Sequence, residues 1–199
     1  MTTQINENKM ADKLVDKAIE VFSVKGYEAT KLTDITNALH ISRGPVYYHF
    51  KDKYGLYLVA YNQFENGLLE IHNRVIAQDK HIIRIMEDVI YEFVNHIKRF
   101  GVNFFFNIQN VDELESINKR YNTLNCRLYQ DKLELVKKAI EEGVIRSDIN
   151  PKEVVDLVYL VYFGIIDGLN LKVIEDYPDR DIKNMVNVLL RGIERYCCD

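Results

Sequence analysis

Apolar residues in this chain recur at intervals of three and four almost from end to end, and runs that alternate apolar with polar are nearly absent. That period belongs to helices with one buried face, and it leaves almost nothing a half-buried strand could use. Three prolines and nine glycines in 199 residues add few interruptions, so the expected fold class is all-α. The first helix is the plainest. Ala11, Leu14, Val15, Ala18, Ile19 and Phe22 make one continuous stripe, while Asp12, Lys13, Asp16, Lys17 and Glu20 take the other side. Gly26 is placed to end it as a C-terminal cap with positive φ.

Two short helices should follow. Thr30 is placed to cap the first of them, with Leu32, Ile35, Ala38 and Leu39 as its buried face. Ser42 is placed to cap the next, with Pro45 in the first turn, where a missing N–H leaves nothing unpaired. Two short helices a few residues apart make a helix-turn-helix. A fourth helix should start behind Asp52 and reach about Asn73, with Leu56, Val59, Ala60, Phe64, Leu68 and Ile71 inward. Further helices are expected over about 82–100, 113–142, 151–170 and 180–196. Asn150 as N-cap, Pro151 at the first helical position and Glu153 mark the start of the third of these.

The span from Gly26 to Leu56, GYEATKLTDITNALHISRGPVYYHFKDKYGL, resembles the DNA-binding segment of the TetR family of transcription regulators. The pattern is carried by Gly26, Tyr27, Thr30, Asp34, Ile35, Ser42, Arg43, Gly44, Tyr47, His49, Phe50 and Lys53, many residue types at fixed spacing. Tyr27, Ile35, Ile41, Val46 and Phe50 should form a miniature core, and Gly44 should let the third helix approach a duplex closely. The resemblance implies that Tyr47, His49 and Lys53 contact phosphates, helped by Thr30. Arg43, Pro45, Tyr48 and Thr33 are the candidates for base edges, Arg43 through a bidentate bond to guanine. His40 stands where the family usually has glycine, at a turn residue that tends to positive φ.

Bulk properties bound the other readings. The net charge of −4 is unusual for a protein that binds phosphates, but Ser42–Lys53 holds three cations against one anion. That local excess matters more than the total, although a helix-turn-helix-shaped protein-interaction module without operator binding stays open as the alternative. Cys126, Cys197 and Cys198 have neither disulfide-framework nor zinc spacing, and the adjacent pair is expected to sit at a frayed C-terminus. No Glu-x-x-His or His-Glu-x-x-His motif and no glycine-rich phosphate loop occurs, and His72, His81 and His96 stand apart. No enzyme activity, metal or cofactor is therefore expected. With no apolar run long enough to span a membrane and no signal segment at the N-terminus, no membrane partner and a cytoplasmic location are expected.

The expected organisation is a helix-turn-helix domain over 1–53 and a larger helical domain over 54–199 for effector binding and dimerisation. By the resemblance, the helices at about 151–170 and 180–196 pair with their copies in a homodimer. Val155, Val158, Val161, Tyr162, Ile165, Leu169, Met185, Val188, Leu189 and Ile193 exceed what one inner face requires. Gly164 and Gly168 would permit close approach. An aromatic-rich middle region suggests a pocket for a small apolar or aromatic effector, with Phe64, Phe93, Phe105, Tyr121 and Tyr159 as candidate walls and Asn103, Asn107 or Asn125 to orient the ligand.

Overall fold

The computed structural model describes residues 2–173 and 179–198, and among these the regular structure is entirely helical. The helices are α1 (Thr2–Ala29), α2 (Leu32–Ala38), α3 (Gly44–Phe50), α4 (Lys53–Ile76), α5 (Ile82–Phe100), α6 (Val102–Asn110), α7 (Glu115–Glu141), α8 (Pro151–Asn170) and α9 (Asp179–Cys198). A 3-10 turn, Asp112–Leu114, precedes α7. Among the described residues no helix is long and apolar enough to cross a membrane.

The chain forms two compact units, one of Met1–Asn66 with Ile97–Tyr121 and the other of Gly67–His96 with Asn122–Asp199. In the first, α1 packs on α2, α3 and α6. Its core follows the sequence stripe: Leu14, Val15, Ala18 and Phe22 are buried, while Ala11 and Ile19 are half-buried at its edge. Tyr57 and Tyr61, not assigned inward from the sequence, are also buried. Tyr57 can be so because its hydroxyl donates to the Phe104 carbonyl, 2.9 Å away.

Helix α6 is absent from the sequence expectation. Gly101, at φ 86°, ends α5 and begins α6 within one residue. Its missing side chain also matters, since a Cβ there would fall against the Ser23 backbone with Cα at 2.8 Å. Asn103 and Asn107, expected to orient a ligand, are instead committed to this packing. The Asn103 amide donates to the Ser23 and Val24 carbonyls, 3.2 Å each, and the Asn107 Oδ1 accepts the Tyr27 N–H at 2.9 Å. The carbonyls of Ser23 and Val24 claim the first and the Tyr27 amide the second, backbone groups left open where α1 breaks.

In the second unit α8 packs on α9. Asn150 caps α8 as expected, its Oδ1 accepting the Lys152 N–H at 3.0 Å. The expectation of a frayed end is overturned: Cys197 is buried, and its carbonyl accepts the Arg146 N–H at 2.9 Å. All three cysteines are free thiols.

Two buried polar groups break the apolar pattern here. His72 sits beside Asp131 (Nε2 to Oδ2, 3.0 Å), and burial followed by the nearby Lys132 charge holds the imidazole down at about 4. Lys132 is 1% exposed, and its Nζ donates to the Leu128 carbonyl at 3.0 Å. Burial pushes its ammonium from the ordinary 10.5 down to about 7, with the Asp131 charge pulling the other way. The unfolded chain thus holds this proton up to pH 10.5 and the folded chain only up to about 7, so the group costs stability below that window and the cost fades across it. Lys132→Met is expected to stabilise the protein, by on the order of 3 kcal/mol at pH 6.5 and by little at pH 10.5. Urea unfolding at the two pH values checks this, and an equal gain at both would contradict it.

Candidate nucleic-acid interface

The N-terminal unit is organised at the end of α1. Gly26 has φ 76° and ψ 173°, which breaks the helix as the sequence led one to expect. The chain then turns so that Tyr27 drops inward between Phe22 and Tyr57, with ring centroids 6.0 and 5.0 Å away. Thr30 does not cap α2. Its hydroxyl donates to the Gly26 carbonyl at 2.6 Å and is buried, because that carbonyl lost its helical partner at the break. The cap position belongs to Lys31, whose N–H is taken by the Asp34 carboxylate at 2.9 Å. Asp34 also pairs with Lys25 at 3.1 Å, which ties the start of α2 to α1. The Lys31 N–H first and Lys25 second hold the Asp34 carboxyl below its ordinary range.

Helix α2 ends in a Schellman turn. Ile41 N–H reaches the Thr36 carbonyl at 3.0 Å and His40 N–H the Asn37 carbonyl at 3.1 Å. The motif requires left-handed backbone at its C′ residue, and His40 occupies it at φ 54°. The positive φ expected for that turn is therefore present, held by histidine where glycine would be unstrained.

Helix α3 begins at Gly44 with Arg43, not Ser42, at its cap position, and no side chain bonds its first amides. Ser42 is exposed and uncommitted to the helix, because the helix starts one residue later than a Ser42 cap requires. Val46 and Phe50, one turn apart, anchor α3 inward together with Ile35 and Tyr27, while Ile41 is only half-buried. Gly44 has ordinary helical φ, and a Cβ there would meet only the Ser42 Oγ at 3.6 Å, so nothing inside the protein demands glycine.

With its inner face fixed, α3 presents the rest outward. Arg43, Gly44, Tyr47 and Tyr48 are exposed, Tyr47 by 53% and Tyr48 by 72%, and Pro45 and His49 are half-buried. The Tyr48 and His49 rings meet edge to face at 4.8 Å. Thr33 on α2 is half-buried. Lys53, in the first turn of α4, is half-buried: its Nζ donates to the Tyr27 carbonyl at 2.9 Å and lies 4.1 Å from that ring's centroid. Asp52 caps α4 through the Gly55 N–H at 2.7 Å.

Gly55 was not singled out by sequence, yet a Cβ there would collide with the Phe50 carbonyl. The available signal was a glycine in the first turn of a helix, where propensity argues against it. The candidate effector residues fall in two groups. Phe64, Phe105 and Tyr121 are buried in the first unit, and Phe93 and Tyr159 belong to the second. Among the described residues no three His, Cys, Asp or Glu side chains are grouped to hold a metal.

Two short helices on a small core, the second offering an arginine and two tyrosines outward, define a helix-turn-helix DNA-binding protein. Residues 14–60 match the model of the bacterial regulatory proteins of the tetR family. The chain is 24% identical over 195 residues to IcaR of Staphylococcus epidermidis, an HTH-type negative transcriptional regulator of the biofilm operon icaADBC, covering 92% of this chain and all of that one. The Staphylococcus aureus (strain Newman) regulator of the same name is 24% identical over 150 residues, 68% of this chain and 78% of its own. Among solved structures, a TetR regulator from Chloroflexus aurantiacus shares the fold with TM-score 0.72 at 19% identity, covering 96% of this chain and 95% of its own. The ketosteroid transcriptional regulator KstR2 of Mycobacterium tuberculosis does so with TM-score 0.72 at 15% identity, covering 95% of each chain. Residues 14–60 thus carry a DNA-binding domain of the tetR type, and the chain as a whole resembles transcription regulators of that family.

The strained turn gives a direct check. His40→Gly is expected to stabilise the fold by about 0.5–1 kcal/mol, since glycine adopts the left-handed region without a Cβ penalty and its greater unfolded-state freedom offsets only part of the gain. A lower urea midpoint in the variant would show that the His40 side chain contributes more than its backbone costs.

Proposed function

We propose that this protein is a homodimeric transcriptional repressor that inserts α3 into the major groove of operator DNA and is released by a small apolar or aromatic effector. The observation that carries the reading is the outward face of α3. Arg43, Tyr47 and Tyr48 stand out from a helix pinned by Val46 and Phe50, and among the described residues no side-chain hydrogen bond or ion pair accounts for them. Arginine there suits guanine, and tyrosine hydroxyls suit phosphates. Tyr47, His49 and Lys53 are the proposed phosphate contacts, Arg43, Pro45, Tyr48 and Thr33 the proposed base contacts.

Two of these assignments take a specific form. Lys53 is tied to the Tyr27 carbonyl, so its charge is held at one place on the surface before DNA arrives. Thr30, with its hydroxyl committed to Gly26, can help only by fixing the turn beneath α2.

Repression follows the relatives, which are negative regulators, and the physical argument that a dimer on an operator obstructs polymerase. We assign DNA binding to residues 1–53 and effector binding with dimerisation to 54–199. The proposed dimer surface is an apolar stripe on α8 and α9. Leu157, Leu160 and Leu171 are exposed on or just after α8, and Val188, Leu189 and Tyr196 on α9. Gly164 and Gly192 lie within these stripes, with nothing within 4 Å of where a Cβ would stand, so a partner helix could approach closely. Two recognition helices would then read half-sites about one helical turn apart, roughly 34–36 Å. A ligand that favours another separation weakens binding by no more than its differential affinity for the two states. A regulator of this kind works where bacterial DNA is, in the cytoplasm.

Gly44→Ala separates fold from function. The structure has room for the methyl, and alanine favours the helix, so stability should hold or rise by up to about 1 kcal/mol. Affinity for operator duplex, followed by fluorescence anisotropy, should fall at least tenfold because the methyl occupies space the duplex needs. For the wild type, affinity should drop steeply between about 50 and 200 mM salt. Full affinity in the alanine variant, or binding indifferent to salt, would contradict the proposed docking.

A further inference from the structure

Lys132 lies on the buried face of α7, one turn after Leu128 and one turn before Val136, where the helix otherwise carries apolar residues. Its Nζ makes a single hydrogen bond, to the Leu128 carbonyl, so two N–H donors are unused. No carboxylate lies within ion-pair distance of it among the described residues. Asp131, its chain neighbour, is turned to His72 instead. Two aromatic rings flank the ammonium, Phe93 of α5 and Tyr159 of α8, each with its centroid 5.4 Å from Nζ. Phe93 is buried and Tyr159 half-buried, so Tyr159 is the wall nearer solvent.

A buried ammonium without a counter-ion costs stability, and two ring faces repay only part of that cost. Asp131 relieves part of the cost through its charge but is not bonded to the ammonium, and the other adjacent polar groups add little. On α4, His72 stays neutral at physiological pH, and its Nδ1 is buried without a hydrogen-bond partner. On α8, Asp156 is engaged by the Tyr129 hydroxyl at 2.7 Å. The chain therefore holds a cation, a ring on either side and an unpaired acceptor together in its second unit, with no carboxylate among the described residues within ion-pair distance of the cation. A buried cation that lowers stability and has no counter-ion within ion-pair distance is a place where a ligand could supply one.

We propose that Lys132 anchors the carboxylate of a small, largely apolar organic acid, whose hydrocarbon or aromatic body packs against Tyr159, the ring nearer solvent. This deepens the effector reading of the proposed function and rests on it. A bare inorganic anion fits less well, because it would surrender its hydration shell to an apolar surround and gain one charge partner. An acid with an apolar body gains from both halves. Binding draws the Lys132 proton back onto the amine, since the charged form is then paired. Affinity should consequently be high below about pH 7 and weaken as pH rises and the free protein's amine loses its proton.

The test is calorimetric titration of the full chain, free of DNA, with benzoate, phenylacetate and octanoate and with the corresponding amides. At pH 6.5 at least one acid should bind tenfold or more tighter than its amide, and that acid should bind at least tenfold more weakly at pH 9. Acetate should bind far more weakly than the preferred acid at either pH. Lys132→Met, shown to be folded by its unfolding transition, should lose the preference for acid over amide. The proposal is overturned if none of the three acids binds, if acid and amide bind alike, or if the methionine variant keeps the wild-type preference. Duplex affinity measured separately without any acid distinguishes the two readings. Failure there would remove the regulator and leave the acid site standing, whereas failure of acid binding with duplex affinity intact would remove only the acid site.

Discussion

The left-handed backbone at Gly26 organises the rest of the N-terminal unit. A helix that ends abruptly leaves carbonyls and amides without partners, and here each is taken by a different element. The Gly26 carbonyl takes the Thr30 hydroxyl, the Tyr27 amide is taken by Asn107 of α6, and the Tyr27 carbonyl takes the Lys53 ammonium of α4. The same bend drops the Tyr27 ring between Phe22 and Tyr57. One residue of unusual backbone thus joins several helices, and α3 rests on the platform they make through Val46 and Phe50. A Cβ at Gly26 would crowd the Asn107 amide at 3.0 Å besides straining φ, so glycine suits the position on both counts.

Rigidity inside and exposure outside are two sides of this arrangement. Arg43 and Tyr48 face outward because Val46 and Phe50 bury the inner face of α3, and a docking surface held in place loses less entropy when it binds. The second unit uses the opposite device. His72 and Lys132 sit where packing alone would place leucine or methionine, and the fold tolerates their cost. Interiors rarely retain an ammonium without a bonded counter-ion, which is why the proposed acid site lies there.

Much of this was legible in the sequence. The stripe from Ala11 to Phe22, the break at Gly26, the two short helices and the cap at Asn150 all follow from local rules, and the strained turn at His40 follows from the family resemblance. Resemblance to the TetR pattern over Gly26–Leu56, His40 excepted, pointed to the family. What escaped depended on contacts distant in the chain. Thr30 looks like an N-cap until the Gly26 carbonyl is seen to need its hydroxyl more. Ser42 looks like a cap until α3 begins a residue later. Helix α6 hides in an aromatic run whose only boundary signal is Gly101, and Asn103 and Asn107 read as pocket residues because nothing local shows that α1 ends beside them. Lys132 did leave a trace: spaced four residues from Leu128 and from Val136, it is a charge on an apolar stripe, and such a break in period is worth noting in any helix.

The central claim is that α3, repeated by a second copy of the chain, reads DNA sequence. Selection of duplexes by the full-length protein from a random pool, followed by sequencing, tests it most directly. The account predicts enriched sites made of two inverted half-sites whose centres lie about one helical turn apart or a multiple of it. Failure to enrich any sequence, or enrichment of single unrepeated sites, would contradict it.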